Sequence, residues 1–278
     1  MKFNFNYPLM TVLGIIFFSS SLFAQRGVVA EYASPLDPSA KATPMYIGPA
    51  FGFNIMGHSM DMPTMLNDPL CPRFKNASGL GIFGGMTLEY LFGDVATSSS
   101  ALIFRALFNM FPGNITIEDK AYPSRDPNNN LVDGNIENVM DITCNAVTFE
   151  VMYKINPIPG FGIGVVVGPS FDYILTKNRT HKFNLIRPQN AQLPVDEFPA
   201  GTPFENYNRT AVFYDGEIED ASAIRLGLKA GVQYEILLGS KLYLAPSLAY
   251  NFGITSLTSK YTWRISPIQI GIDARFAF

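Results

Sequence analysis

Apolar and polar residues alternate one by one along this chain, over runs longer than an ordinary strand. From Ile224 to Ile236 one face carries Ile224, Leu226, Leu228, Ala230, Val232, Tyr234 and Ile236, and the other Arg225, Gly227, Lys229, Gly231, Gln233 and Glu235. The stretch Pro267–Phe278 does the same: Ile268, Ile270, Ile272, Ala274, Phe276 and Phe278 alternate with Gln269, Gly271, Asp273, Arg275 and Ala277. Successive side chains of a strand point to opposite sides, so this pattern demands a sheet with one apolar and one polar face. Soluble half-buried strands usually stop after about five or six residues. These runs match the roughly 9–11 residues of a tilted strand that crosses a bilayer. Composition agrees: 47% of the chain is hydrophobic and only 15% charged, against about 25% charged in soluble domains. Past the N-terminal leader, no stretch is apolar over the roughly 20 residues a transmembrane helix needs.

Eight segments follow the alternating pattern: Tyr46–Met56, Leu80–Phe92, Ala101–Phe111, Ala146–Ile155, Phe161–Leu175, Ile224–Leu237, Leu242–Ile254 and Pro267–Phe278. Their connections sort by length. Segments two and three, four and five, and six and seven are joined by short turns, whereas Pro112–Asn145 and Thr176–Ala223 are long. Short turns at one end and long loops at the other predict an all-β, up-and-down antiparallel barrel of eight strands, with short turns periplasmic and long loops extracellular. Closure is required as well, because an unpaired backbone group in hydrocarbon costs several kcal/mol. Aromatic girdles are expected from Tyr90, Phe92, Tyr153, Phe161, Tyr234, Phe276 and Phe278 at the short-turn ends, and from Phe53, Phe108, Phe171, Tyr173, Tyr250, Phe252 and Trp263 at the long-loop ends. Pro49, Pro169 and Pro246 stand in three related motifs (Gly48-Pro-Ala-Phe-Gly-Phe53, Gly168-Pro-Ser-Phe-Asp-Tyr173, Ala245-Pro-Ser-Leu-Ala-Tyr250) and should mark bulges or gaps in pairing.

The domain plan is then residues 1–24 as a signal peptide, 25–44 as a periplasmic segment and 45–278 as the barrel. Lys2, the apolar run Tyr7–Phe18 and small residues up to Ala24 read as a cleaved export signal.

Three stretches carry a family resemblance: Val165-Val-Val-Gly-Pro-Ser-Phe-Asp-Tyr173, Leu228-Lys-Ala-Gly-Val-Gln-Tyr234 and Gly271-Ile-Asp-Ala-Arg-Phe-Ala-Phe278. The chain resembles the PorT-like outer-membrane β-barrels of Bacteroidetes and related bacteria, and more broadly the OmpA-type eight-stranded barrel. The resemblance implies residence in a Gram-negative outer membrane, contact with its lipid, and passage through the barrel-assembly machinery. Gly271, Phe276 and the terminal Phe278 are similar to the signal which that machinery reads.

Counting faces consistently places Glu89, Arg105, Glu150, Lys154, Asp172, Arg225, Lys229, Glu235, Asp273 and Arg275 in the lumen. These five acids and five bases fall into tiers: Glu89, Lys154, Glu235 and Arg275 lie towards the short turns, Arg105, Glu150, Lys229 and Asp273 at mid-height, and Asp172 and Arg225 above. The interior of an eight-stranded barrel is only wide enough for its own side chains, so the expectation is a salt-bridged plug without an open pore. A charge-lined ion path is the alternative.

Other signals are weaker. A formal charge of −3 gives no basis for nucleic-acid binding. Two Cys and two His build neither a disulfide scaffold nor a histidine metal centre, and no cofactor is expected. Cys71 and Cys144 both belong to the outer side, where a disulfide can form; two free thiols or two buried side chains are the alternatives. Asp119, Asp126, Asp133, Glu137 and Asp141 read as a solvated acidic loop before a calcium site. His58, Ser59, Asp61 and His181 stand near the rim, but position alone makes no catalytic triad, so no enzyme is expected. Three functions are weighed. The favoured one is a structural or loop-displaying interaction barrel that meets a surface ligand or envelope protein, with Tyr122, Phe183, Phe198, Phe204, Tyr207, Phe213 and Tyr214 as candidate contacts. A narrow, porin-like channel and a lipase- or acyltransferase-like rim enzyme follow.

Overall fold

The computed structural model describes residues 45–63, 73–92, 98–158, 161–238 and 242–277. The expected leader and N-terminal segment, Cys71 and Phe278 lie outside them. The described chain is strands and connections with one short 3-10 turn at Val195–Glu197. The strands are β1 (Met45–Pro63), β2 (Arg73–Leu91), β3 (Ser100–Met110), β4 (Gly113–Arg125), β5 (Leu131–Ile155), β6 (Ile163–Arg187), β7 (Phe204–Glu205), β8 (Thr210–Glu217), β9 (Ile224–Tyr234), β10 (Ile236–Leu237), β11 (Leu242–Gly253), β12 (Trp263–Ile265) and β13 (Ile268–Ala277).

Eight of them close a ring. β1 pairs β2, which pairs β3, and the order continues through β5, β6, β9, β11 and β13 back to β1, every pairing antiparallel. The closing seam runs from Tyr46 opposite Ala277 to Ile55 opposite Ile268, so no strand edge faces outward through the ring, as hydrocarbon requires.

Alternation decides the two faces. Along β3 the side chains of Ala101, Ile103, Arg105, Leu107 and Asn109 are buried, while Phe104 and Phe108 project outward. Outside stand Phe51, Ile82, Val151, Val165, Leu226, Leu248 and Ile270, all large, apolar and exposed. Inside stand charges and amides. That is a soluble protein reversed, and it is the surface a bilayer selects. Phe53, Phe108, Phe171, Tyr173, Tyr250 and Phe252 are exposed near one end of the ring, and Tyr90, Phe92, Tyr153, Phe161 and Phe276 near the other. Trp263 departs from its expected place in the girdle. It is 0% exposed, because β12 pairs with β1 through Met60 opposite Trp263 and turns the indole into the mouth.

The long connections are built on strands. From Pro112 to Asn145 the chain forms β4 and the outer half of β5, a hairpin from Gly113 opposite Ile142 to Arg125 opposite Leu131. Its turn is held by the Asp126 carboxylate, which accepts the backbone N–H groups of Asn128 and Asn130 at 2.8 Å each. The stretch Thr176–Ala223 likewise contains the outer half of β6 together with β7 and β8. β5 and β6 are 25 residues long each, more than twice a bilayer crossing. Beyond the ring they carry β4, β8 and β7 in a sheet of order β4-β5-β6-β8-β7. This sheet has its own core of Ile136, Phe183, Leu185, Leu193, Phe198 and Ala211. Of the expected solvated acidic loop only Asp126 lies in a turn, while Asp119, Asp133, Glu137 and Asp141 are on strands; Glu137 accepts the Asn184 amide at 3.0 Å and Asp141 the Asn114 amide at 2.6 Å.

The three prolines occupy gaps in pairing rather than bulges. The β1–β13 ladder omits Gly48 and Pro49, and the β5–β6 ladder omits the pairs facing Gly168 and Pro169. Between β11 and its neighbours β9 and β10, the gap falls at Ala245 and Pro246. Register is the same on either side of each gap. Proline offers no N–H, so the carbonyl across from it loses its donor. A Cβ at Gly48 would collide with the Ala274 carbonyl, and one at Gly168 with the Val151 carbonyl. These are the residues opposite Pro49 and Pro169, so the glycine admits the carbonyl that the proline releases.

Candidate functional site: the barrel lumen

The lumen is built in layers from residues two apart on facing strands. At the short-turn end Tyr46, Leu91, Ala101, Tyr243 and Ala245 form an apolar floor. Above it Lys154 from β5 pairs with Glu89 from β2 and, at 2.5 Å, with Glu235, while Arg275 from β13 meets Glu89 at 2.8 Å. The Tyr243 hydroxyl also donates to Glu89, and Arg275 donates to the Gln233 amide oxygen at 3.1 Å. Arg275 reaches up to Asp273 at 2.6 Å and links this tier to the next.

At mid-height Arg105 lies 2.7 Å from Asp273 and 3.9 Å from Glu150, and Lys229 holds Glu150 at 2.7 Å. Thr87 donates a hydroxyl to Asp273 at 3.1 Å. Asp172 and Arg225 form the upper pair, 2.5 Å apart, and Thr148 donates to Asp172 at 2.5 Å. All ten charged residues are buried, and none exceeds 5% exposure as a whole residue. Glu89, Glu150, Asp172, Glu235 and Asp273 against Arg105, Lys154, Arg225, Lys229 and Arg275 make five of each sign. Moving a charge out of water costs several kcal/mol, and only close partners with further hydrogen bonds offset it. The lumen supplies a close partner for every charge and further hydrogen bonds for Glu89, Asp172, Asp273 and Arg275.

An amide belt that face-counting for charges passed over lies between the mid and upper pairs. Asn54 donates to the Asn109 amide oxygen at 3.0 Å, Gln269 to Asn54 at 2.8 Å, and Asn109 to Thr148 at 2.7 Å. Ser170 donates to Asn251 at 3.0 Å. The same period-two count would have found them, because each is an inward polar residue on a crossing strand.

The mouth is closed by an apolar cluster that includes Met56, Met60, Phe74, Phe111, Met140, Ile142, Cys144, Trp263 and Ile265. Cys144, expected near the oxidising exterior, is a free thiol fully buried in this cluster. Burial pushes its pKa up to about 12, which removes the thiolate character that reactivity requires. Cys71, its expected partner, lies outside the described residues.

The rim constellation does not assemble. His58 is buried and locked: Trp263 donates its indole N–H to Nδ1 at 3.2 Å, so Nε2 carries the proton and donates to the Pro112 carbonyl at 3.2 Å. Ser59, next on the strand, points to the opposite face, and Asp61 is held by Arg73 at 2.6 Å. His181 is buried against Phe74 and Phe213, with Asn138 at 3.2 Å. Burial lowers both histidines to about 4. Among the described residues no group of three or more His, Cys, Asp or Glu could hold a metal ion.

Most expected loop contacts are core. Tyr122, Phe183, Phe198, Phe204 and Phe213 pack on one another with ring centroids 4.8–6.3 Å apart. Tyr214 lies under the Arg179 guanidinium at 4.3 Å. Tyr207, at 91% exposure, projects freely.

A closed antiparallel ring with an apolar exterior and a neutralised charged interior defines a small membrane-spanning β-barrel. Among solved structures, the chain is similar to Neisserial surface protein A (14% identity, TM-score 0.36, covering 85% of this chain and 99% of that one). It is similar also to Ail, the attachment invasion locus protein of Yersinia pestis (11%, 0.31, 84% and 100%), and to the outer membrane protein OprG of Pseudomonas aeruginosa (11%, 0.33, 86% and 98%). At such identities and TM-scores the likeness says nothing of role; the barrel stands on its own ring of pairings. No family model and no curated protein matches the chain.

Proposed function

We propose that this protein is a bacterial outer-membrane barrel with a closed lumen, which serves as a structural and interaction protein and presents its outer sheet to a surface ligand or another envelope component. The observation that supports it is the filled interior. Ten charges sit at no more than 5% exposure in mutual contact, with apolar side chains below and above them. This leaves the sheet of β4, β5, β6, β8 and β7 as the part shaped for contact, with Tyr207 at its surface. In this reading residues 1–24 direct export, residues 25–44 are periplasmic, and the short turns face the periplasm. Gly271, Phe276 and Phe278 serve the barrel-assembly machinery, the Val165–Tyr173 and Leu228–Tyr234 stretches belong to a PorT-like barrel, and lipid covers the outer face. Nucleic acid, cofactor and catalysis have no part in it.

Planar-bilayer recording of the purified protein tests the closed lumen. The expected trace lacks steady openings, and large, stable conductance would favour a narrow channel. A photo-crosslinking residue at position 207 in intact cells tests the contact role and should give a discrete adduct with an envelope component. Adducts no different from those at a lipid-facing position such as 151 would refute it.

A further inference from the structure

The barrel wall has a notch at the upper edge of its apolar band, with a volume of about 480 Å³. It arises where the seam changes partner. β1 pairs β13 as far as Ile55 opposite Ile268 and resumes with β12 at His58 opposite Ile265. In between, the Ser266 N–H donates to the Gly57 carbonyl at 2.8 Å, and Gly57 places no side chain over the gap. The lower wall of the notch is apolar, from Ile55, Phe252 and Ile268, with Tyr250 beside them. The upper wall holds Arg264, which is exposed and makes no side-chain hydrogen bond or ion pair among the described residues. Two other cations near this end differ: Arg73 is paired with Asp61 at 2.6 Å, and Lys260 with Glu219 at 2.6 Å.

We propose that this notch holds one anionic, phosphate-bearing lipid of the bilayer, its acyl chain on Ile55, Phe252 and Ile268 and its phosphate on Arg264. The inference rests on the membrane-spanning reading above. Ile268 and Arg264 are four residues apart, at most about 13 Å along an extended chain, a span suited to the junction of headgroup and acyl chain. Only an amphiphile already in the membrane satisfies both walls, since a soluble anion leaves the apolar wall bare and a hydrocarbon leaves the guanidinium unpaired. Guanidinium matches phosphate with paired, charge-assisted hydrogen bonds.

The test is native mass spectrometry of the protein released from phosphatidylcholine nanodiscs doped with diphosphoryl lipid A or with the same lipid after phosphatase treatment. Wild type should retain one phosphorylated lipid in preference to the dephosphorylated one. Arg264→Gln should lower retention of the phosphorylated form by about tenfold and leave the other unchanged. Ser59→Phe, an outward substitution that fills the notch, should lower retention of both. Heat-modifiable gel mobility equal to wild type shows that each variant is folded. Equal retention of the two lipids by wild type, or undiminished retention by Arg264→Gln, overturns the site. Failure of wild type to enter nanodiscs overturns the membrane-spanning reading and the site with it.

Discussion

At the scale of single residues the lumen is a set of mutual obligations. Lys229 is 1% exposed and holds both Glu150 oxygens, at 2.7 and 2.8 Å. Replacing it by methionine leaves Glu150 buried with only Arg105, 3.9 Å away. Breaking a buried pair on one side costs about 3–5 kcal/mol, while removing both partners is often close to neutral. The Lys229→Met barrel should therefore lose its compact gel migration at a clearly lower temperature than wild type. The Glu150→Leu, Lys229→Met double variant should regain most of the loss, and a single variant as stable as wild type would refute the pairing. That Lys154 and Arg275 point inward was legible from counting by twos. That Lys154 meets both Glu89 and Glu235, from different strands, was not, because stagger across a barrel is a property of the closed ring. The free, buried Cys144 and the locked His58 were hidden for the same reason: what covers them comes from β2, from Phe111 and Pro112 between β3 and β4, and from β12.

At the scale of elements, alternation carried the eight crossings but was passed over outside the membrane. Ile136, Asn138, Met140 and Ile142 are buried and alternate with Glu137, Val139 and Asp141. The pattern is as regular as any in the wall, but a dense run of acids makes it look like solvated loop. Further out, Arg209 ties the chain down. Its guanidinium donates to the carbonyls of Pro188 at 2.9 Å, Ala191 at 3.0 Å, Leu185 at 2.7 Å and Ile186 at 3.2 Å, and to that of Gln189. No sequence signal marks an arginine that binds only backbone. Arg209→Gln should free the 186–192 segment for limited proteolysis and raise its amide exchange, with gel mobility of the barrel unchanged. Unaltered protease resistance there would show that the aromatic cluster around Phe198 suffices.

At the scale of the whole molecule, acid should loosen the mouth before it reaches the surface ion pairs. His58 and His181 fall to about 4 from 6.5, chiefly through burial. The unfolded chain thus takes up these protons first as pH falls. Their contribution is complete above about pH 6.5, is lost between 6.5 and about 4, and changes no further below; each can account for up to about 3 kcal/mol. The exposed acids act in the same direction but at lower pH. Asp61 is held low first by its bond to Arg73, Asp126 by the Asn130 N–H and Glu219 by Lys260, so what little they add is present above their unfolded values and lost at lower pH. Urea unfolding from liposomes should show a midpoint that falls from pH 7 to pH 4.5, and a His58→Gln, His181→Gln variant should flatten that slope. An unchanged slope in the double variant would place the acid sensitivity elsewhere.

The sequence by itself determined which side of each crossing strand is greasy and which is polar, because strand geometry makes that a matter of parity. It determined too that such strands must close, because lipid leaves no partner for a bare edge. Only the tertiary structure decided which cation meets which anion, that the outer connections continue as sheet, and that Trp263 seals the mouth. Those outcomes depend on stagger, on strand extension beyond the bilayer and on where β12 crosses β1, all distances through space between residues far apart in the chain.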